Sequence, residues 1–379
     1  MKVHILTRLD ARPIPPESQE VRLFCKLRNE LVRLPYFLQF YREMGVDRFI
    51  FVDNGSTDGT TEYLLSQRDC HVLHTTDPFR DVYVHWQNRA LDLYGTDHWC
   101  LVVDADEFLV FPHCEKICLK QFCRFLDIEG SQGVYSFMLD MYSKGPFAEA
   151  QYSVGQDPLD ICPYHDRDYK FVDRTFLDMM RLPNRPPPFP ETEVIGGPRA
   201  RIFYPEQNTE EVFPRVWPRI AGRVLTPFAQ SKLWPDSRVP HMASMLFKVP
   251  LVRWGQELAY YSSTHIMTPI RLSAVTSALL HYKYFADFLD KAIIEATRGA
   301  YEGGGRQYNR YAHITARRDT GGGNIFFYEG SVKYEDSLGL IKQGLIQSCT
   351  ELELHVVRCS QNRYKMRVPA LSREGEKVC

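Results

Sequence analysis

Apolar positions alternate between two rhythms along the first third of the chain. Residues 21–25 form a short apolar run that reads as a strand, residues 31–44 repeat at helical spacing up to Gly45, and residues 48–52 form a second strand. The pattern continues with a helix over 57–67, a strand over 70–74, a helix over 81–94 and a strand over 99–103. Strand and helix in alternation at short spacing imply crossover connections. The class is therefore α/β, with a mainly parallel central sheet flanked by helices. In open sheets of this kind ligands sit beyond the carboxyl ends of the strands. Three such ends are polar here: Arg28-Asn29-Glu30, Asp53-Asn54-Gly55-Ser56 and Asp104-Ala105-Asp106-Glu107.

The flanks have other textures. Residues 1–19 read as a flexible leader, because Arg12-Pro13-Ile14-Pro15-Pro16 blocks regular structure. Residues 133–139 read as a further strand. From 145 to 240 the chain is rich in Pro, Tyr and Arg and reads as long loops over the sheet, the kind of segment that carries acceptor specificity. Helical patterning returns over 272–297, and glycine runs at 303–305 and 321–323 mark a junction. The division expected is a leader (1–19), one catalytic domain (20–298) and a C-terminal helical extension (299–379) that clasps the domain or supports a homodimer.

Composition narrows the function classes. The 379 residues are 44% hydrophobic and 13% aromatic, enough for a large core. With 46 basic and 47 acidic residues the formal charge is −1, so no global field argues for nucleic acid. The N-terminus has no apolar core of signal-peptide length, and no later run approaches the roughly 18 apolar residues of a membrane span. The expected location is cytoplasmic, with room for a peripheral membrane contact. Among ten cysteines only Cys114, Cys118 and Cys123 cluster, beside His113. Their spacing lacks the paired C-x-x-C of a zinc site and falls on an expected amphipathic helix, so reduced thiols are expected.

Two strand ends carry the chemistry. A buried strand that ends in several carboxylates presents oxygen ligands to Mg²⁺ or Mn²⁺, with open positions left for phosphates. At the earlier end Asp53 can accept hydrogen bonds from a ribose or a base N–H, Gly55 permits a tight turn, and Thr57 or Asp58 can cap the following helix. Each motif alone also reads as a capped or solvated turn.

Taken in order, Asn29-Glu30, Leu34-Pro35-Tyr36-Phe37-Leu38, Gly45-Val46-Asp47, Asp53-Asn54-Gly55-Ser56-Thr57-Asp58-Gly59-Thr60 and Asp104-Ala105-Asp106-Glu107 resemble the nucleotide-sugar glycosyltransferases of the family 2 type, with the GT-A fold. Weaker motifs resemble a bacterial branch of that family: Ile195-Gly196-Gly197-Pro198-Arg199, Lys248-Val249-Pro250-Leu251-Val252, Ser263-Thr264-His265 and Leu280-His281-Tyr282-Lys283. The resemblance spans roughly residues 20–345. It implies a Mn²⁺- or Mg²⁺-dependent hexosyltransferase acting from a nucleotide-sugar donor, a UDP-sugar first, on a glycan or lipid-linked acceptor. Asp53 would contact the nucleoside, with Asn29, Glu30 and Asn54 lining the same pocket. Asp104 and Asp106 would hold the metal against the diphosphate, Asp104 nearer the ribose and the ion's outer shell, and Glu107 would lie near the metal or the sugar. A histidine often completes such a site: His281 is placed first and His265 second, with Lys283 available to the diphosphate.

Arg89 is a further candidate for the diphosphate, and Arg199 and Arg201 for a phosphate or an acidic acceptor. The general base is sought in Asp140, with Asp166 and Asp168 as alternatives; the compact Glu-Asp pair common in the family is not evident. Tyr142, Tyr152, Trp217 and Trp234 can stack on sugar rings. Two other readings stand beside this one: an aspartyl-phosphate phosphatase built on Asp104-Ala105-Asp106, and a non-catalytic sugar-nucleotide or glycan-binding module.

Overall fold

The structure is a computed structural model that describes residues 6–16, 19–145, 149–173, 189–205, 245–261, 263–298, 306–319 and 326–367. Its first half runs β1 (Thr7–Arg8), β2 (Val21–Leu27), α1 (Leu34–Met44), β3 (Arg48–Asp53), α2 (Thr60–Ser66), β4 (Cys70–His74), α3 (Phe79–Tyr94), β5 (Trp99–Val102), β6 (Glu107–Val110), α4 (Leu119–Glu129) and β7 (Gly133–Asp140). It continues with α5 (Pro158–Ile161), β8 (Tyr164–Asp166), β9 (Tyr169–Asp173), β10 (Thr192–Gly196), a π-helical turn (Arg199–Phe203), β11 (Phe247–Arg253) and β12 (Ser277–His281). The last elements are α6 (Phe288–Arg298), α7 (Arg306–Asp319), β13 (Ser331–Lys333), α8 (Ser337–Lys342) and α9 (Thr350–Arg367).

Nine strands form one mixed sheet in the order β1-β4-β3-β2-β5-β11-β7-β12-β6. Strands β2, β3, β4 and β5 pair in parallel through α1, α2 and α3, as the alternating pattern requires. β12 runs parallel to β7, while β1, β6 and β11 run against their neighbours. The alternation of side chains splits the core. Leu23, Cys25, Phe49, Phe51 and Leu101 face the layer containing α1 and α4, whereas Phe24, Ile50, Val52, Cys100 and Val102 face α3 with Trp86 and Leu91. A third apolar cluster joins Tyr142, Phe203, Tyr284, Phe288, Tyr311 and Phe326.

Several expectations are corrected. Residues 277–281 are a buried strand between β7 and β6, and the helix expected over 272–297 is confined to Phe288–Arg298; short apolar runs carry no period long enough to separate the two. The segment expected as a flexible leader contributes β1, which pairs with β4 and is tied down by Asp10 against His71. Cys114 precedes α4 and Cys118 caps it, so only Cys123 of that cluster lies within the helix; every described cysteine is a free thiol. Within the loop-rich middle, β9 and β10 form a hairpin of their own. Residues 183–188, Trp217, Trp234 and both glycine runs lie outside the described residues.

The C-terminal extension clasps the domain. β13 pairs with β8, the Ser337 hydroxyl accepts from the His113 backbone N–H and donates to Glu115, and Glu353 meets His113 Nε2 at 2.7 Å. Leu340, Leu345, Ile346, Leu352 and Val356 join the main core. No described helix is long and apolar enough to cross a membrane.

Candidate metal centre

Sheet register assembles the centre. His281, the last residue of β12, pairs with Asp140 at the end of β7 and with Glu107 at the start of β6. Paired residues project from the same face, so a carboxylate, an imidazole and a second carboxylate stand side by side at the carboxyl edge of the parallel strands. Glu107 is anchored from below: the Tyr41 hydroxyl donates to its carbonyl at 2.8 Å and accepts from the Leu109 N–H at 3.1 Å, while Phe108 packs among Tyr36, Phe37, Phe40, Tyr41 and Tyr282.

Asp106, Glu107 and His281 bring one ligand atom each to within 4.8 Å of one another. His281 Nε2 lies 3.4 Å from Asp106 Oδ2, and Nδ1 lies 2.6 Å from Asp140 Oδ1. This two-oxygen, one-nitrogen donor set fits Mn²⁺ or Mg²⁺, and the carboxylate behind the imidazole is the usual backing of a metal-bound histidine. Burial opposes a charge on His281, yet Asp106 and Asp140 hold its pKa above the ordinary histidine value. Burial would likewise raise Asp106, but His281 and Arg33 hold it well below the usual carboxylate range.

Asp104 stands apart from the three. Its carboxylate accepts from Lys26 Nζ at 2.7 Å and from Lys248 Nζ at 3.0 Å. Lys248 also donates to Glu107 at 2.5 Å, and the other Glu107 oxygen accepts from the Asp104 backbone N–H. Lys248 is 1% exposed on β11, where Pro250 cannot donate to the ladder and the register slips between Lys248 and Leu251. Burial raises the Glu107 pKa even against this lysine. The sequence pattern did not single out Lys26 and Lys248 as site residues. Their signal is a lysine flanked by apolar residues inside a strand, which demands an anionic partner.

The base candidates are closed in. Asp140 is 0% exposed, with Arg199 Nη2 2.8 Å from Oδ1 and Arg199 Nε 2.7 Å from Oδ2. Burial alone would raise it, but Arg199 and His281 draw it down to about 2. Asp166 is gripped by Arg201 through both oxygens, at 2.9 Å each, and by the Tyr142 hydroxyl. Arg199 and Arg201, expected to clamp a phosphate or an acceptor, are thus committed to internal aspartates. Asp168 is exposed beside the β8–β9 turn.

The other candidates fall around this centre or away from it. His265 Nδ1 lies 2.6 Å from the Phe247 carbonyl, and burial with nearby Lys248 pushes the ring down to about 3, so it is neutral. Lys283 Nζ lies over the rings of Tyr308 and Tyr311, and burial and Arg199 lower it to about 8. Arg33, a further residue that the sequence pattern did not mark, pairs with Glu30 at 2.6 Å. Asp53 is 0% exposed: its carboxylate accepts from the Ser56 backbone and hydroxyl, accepts from the Thr61 hydroxyl at 2.9 Å and approaches His74 at 3.3 Å. Asn54 donates to the Thr75 and Asp77 carbonyls. Asn29, at φ 55°, accepts from the Thr57 N–H and so ties the first two strand-end loops together. Helix α2 starts at Thr60, whose N–H reaches Asp58 Oδ1 at 3.0 Å. Arg89 is exposed on α3.

No protein-family model matches the chain, and no curated protein matches it.

Proposed function

We propose that the chain is a metal-dependent glycosyltransferase that moves a sugar from a nucleotide-sugar donor, a UDP-sugar first, to a glycan or lipid-linked acceptor. The observation that carries this reading is the convergence of Asp106, Glu107 and His281 at the carboxyl edge of a mostly parallel sheet. The resemblance of Asp53-Asn54-Gly55-Ser56 and Asp104-Ala105-Asp106-Glu107 to a donor site supports it further, because both motifs end strands of that sheet. The α/β architecture is compatible with GT-A, which we take as the finer description.

In this reading Asp106, Glu107 and His281 hold Mn²⁺ or Mg²⁺. When bound, the cation stabilises the negative charge that a diphosphate gathers as it leaves the anomeric carbon. The chain's own residues do the rest. Lys248 holds Glu107 and Asp104 in place, and Lys26 balances Asp104, so the mutual repulsion of carboxylates sharing one edge is offset. Lys283 adds a cation whose desolvated ammonium gains from an incoming anion. Buried Asp140 orients His281. Solvent is excluded beneath the site by the aromatic packing around Phe108.

The test is a panel of UDP-, GDP- and CMP-sugars with Mn²⁺, followed by nucleotide release and thermal shift. The expected result is release from one nucleotide class and a Mn²⁺-dependent rise in melting temperature that Asp106→Asn and His281→Ala abolish. Absence of both nucleotide preference and Mn²⁺ effect would sink the reading. Phosphate release from simple monoesters would favour a phosphatase, and binding without turnover a binding module.

A further inference from the structure

Resting on that reading of the metal centre, we infer that Arg199 is a positioning residue for the site, fixing through Asp140 the His281 orientation in which Nδ1 donates to Asp140 and Nε2 is the nitrogen left for a cation. At 2.6 Å, His281 Nδ1 and Asp140 Oδ1 cannot face each other as two lone pairs, so the proton lies between them and Nδ1 donates. Arg199 Nη2 stands 2.9 Å from the same ring nitrogen and 2.8 Å from the same Asp140 oxygen. As a group with donors only, it can donate just to the carboxylate, and it thereby keeps that oxygen an acceptor turned towards Nδ1. Nε2 is left facing Asp106 and the cluster.

Sheet register alone does not accomplish this. It sets Asp140 beside His281, but it does not choose the rotation of a carboxylate about its last bond. Arg199 makes that choice: Nη2 donates to Oδ1, and the rest of the guanidinium lies against Oδ2 as an ion pair, with Nε 2.7 Å away and no hydrogen bond between those two atoms.

The backbone around Arg199 is built to deliver it. The residue is 3% exposed and opens a π-helical turn closed by the Tyr204 N–H on its carbonyl. Such turns are rare and concentrate at functional sites. Two glycines precede it at φ 148° and 66°. A Cβ at Gly196 would stand 2.6 Å from the Asp168 carbonyl, and one at Gly197 would stand 2.7 Å from the Tyr169 hydroxyl. Gly196-Gly197-Pro198-Arg199 is thus a close-fitting backbone path from β10 to the buried face of His281. Arg201, in the same turn, serves Asp166 instead and does not touch His281.

The experiment compares wild type, Arg199→Lys, Asp140→Asn, His281→Ala and Arg201→Lys as full chains. It measures Mn²⁺ affinity by electron paramagnetic resonance, the nitrogen modulation of bound Mn²⁺ by pulsed methods, and melting in the absence of metal. Lysine keeps the charge of Arg199 but cannot donate to Oδ1 and lie flat against Oδ2 at once. The Asp140→Asn change keeps the shape of the side chain but removes its charge, so both Nδ1 and Arg199 meet a neutral and weaker acceptor. The expected result is a roughly 10- to 100-fold loss of Mn²⁺ affinity in Arg199→Lys and Asp140→Asn, with weakened nitrogen modulation. His281→Ala should lose the modulation, and Arg201→Lys should keep both affinity and modulation. Wild-type affinity and modulation in Asp140→Asn or Arg199→Lys overturns the inference alone. An equal loss in Arg201→Lys also overturns it, because the effect is then general loosening of the turn. Failure of the wild type to bind Mn²⁺ overturns the metal centre and this inference with it.

Discussion

Lys248 shows what a single buried charge does in this protein. Its ammonium is enclosed between Asp104 and Glu107, and each carboxylate relies on it for compensation. Lys248→Met should therefore cost about 3–5 kcal/mol in urea unfolding, because removal of one partner strands a buried charge. Tyr41→Phe removes one hydroxyl that serves two backbone groups, and should cost about 1–3 kcal/mol by the same measurement. Asp140 sets an acid limit. Its pKa of about 2 lies below the ordinary 3.8, so its contribution is complete above pH 3.8 and is lost as pH falls from there through 2. The wild type should lose stability over that window, and Asp140→Asn, lower in stability at neutral pH, should show a flatter profile there. At this scale the sequence exposed Asp106 and His281, because acids and histidines at element ends are visible in a string of letters. It hid Lys26 and Lys248, whose partner Asp104 lies 78 and 144 residues away from them.

Among the elements, the first and the twelfth strands teach most. β1 is only two residues long, and it persists because side chains behind it reach the sheet: Asp10 contacts His71 at 2.9 Å and the Val72 N–H at 3.2 Å. Burial first, then cationic Arg8 and Arg48, hold His71 below its ordinary 6.5 against the pull of Asp10, and Asp10 itself is held low by Arg8 and His71 despite burial. Both shifts have one sign: the folded state binds fewer protons, so acid weakens it. Melting temperature should decline as pH falls below 6.5, the ordinary histidine value, and His71→Gln should flatten the upper part of that decline. β12 reads in sequence as the start of a helix, because Ser277-Ala278-Leu279-Leu280-His281 is apolar through its middle and fits either element. Pairing with β7 and β6 on its two sides decides for a strand and carries His281 to the centre.

For the molecule as a whole, the C-terminal segment is part of the domain and not an appendage. Leu352 is fully buried in the main core, and His355 reaches the Gln121 carbonyl on α4. Leu352→Ala should lose about 2–5 kcal/mol in a single cooperative transition; a separate early transition for α8 and α9 would show that the clasp folds independently.

The alternating strand and helix pattern by itself determined the α/β class and the four parallel strands β2 to β5, since short crossovers between apolar runs leave few arrangements. It also marked the polar strand ends. Only the tertiary structure decided which acids act together. Asp106, Glu107 and His281 meet because β6 and β12 pair across most of the intervening domain, and Asp53 is turned inward because Ser56, Thr61 and His74 close on it. Local sequence sets the periodicity that makes an element. Which charges share a site depends on pairing between segments whose separation along the chain carries no local signal.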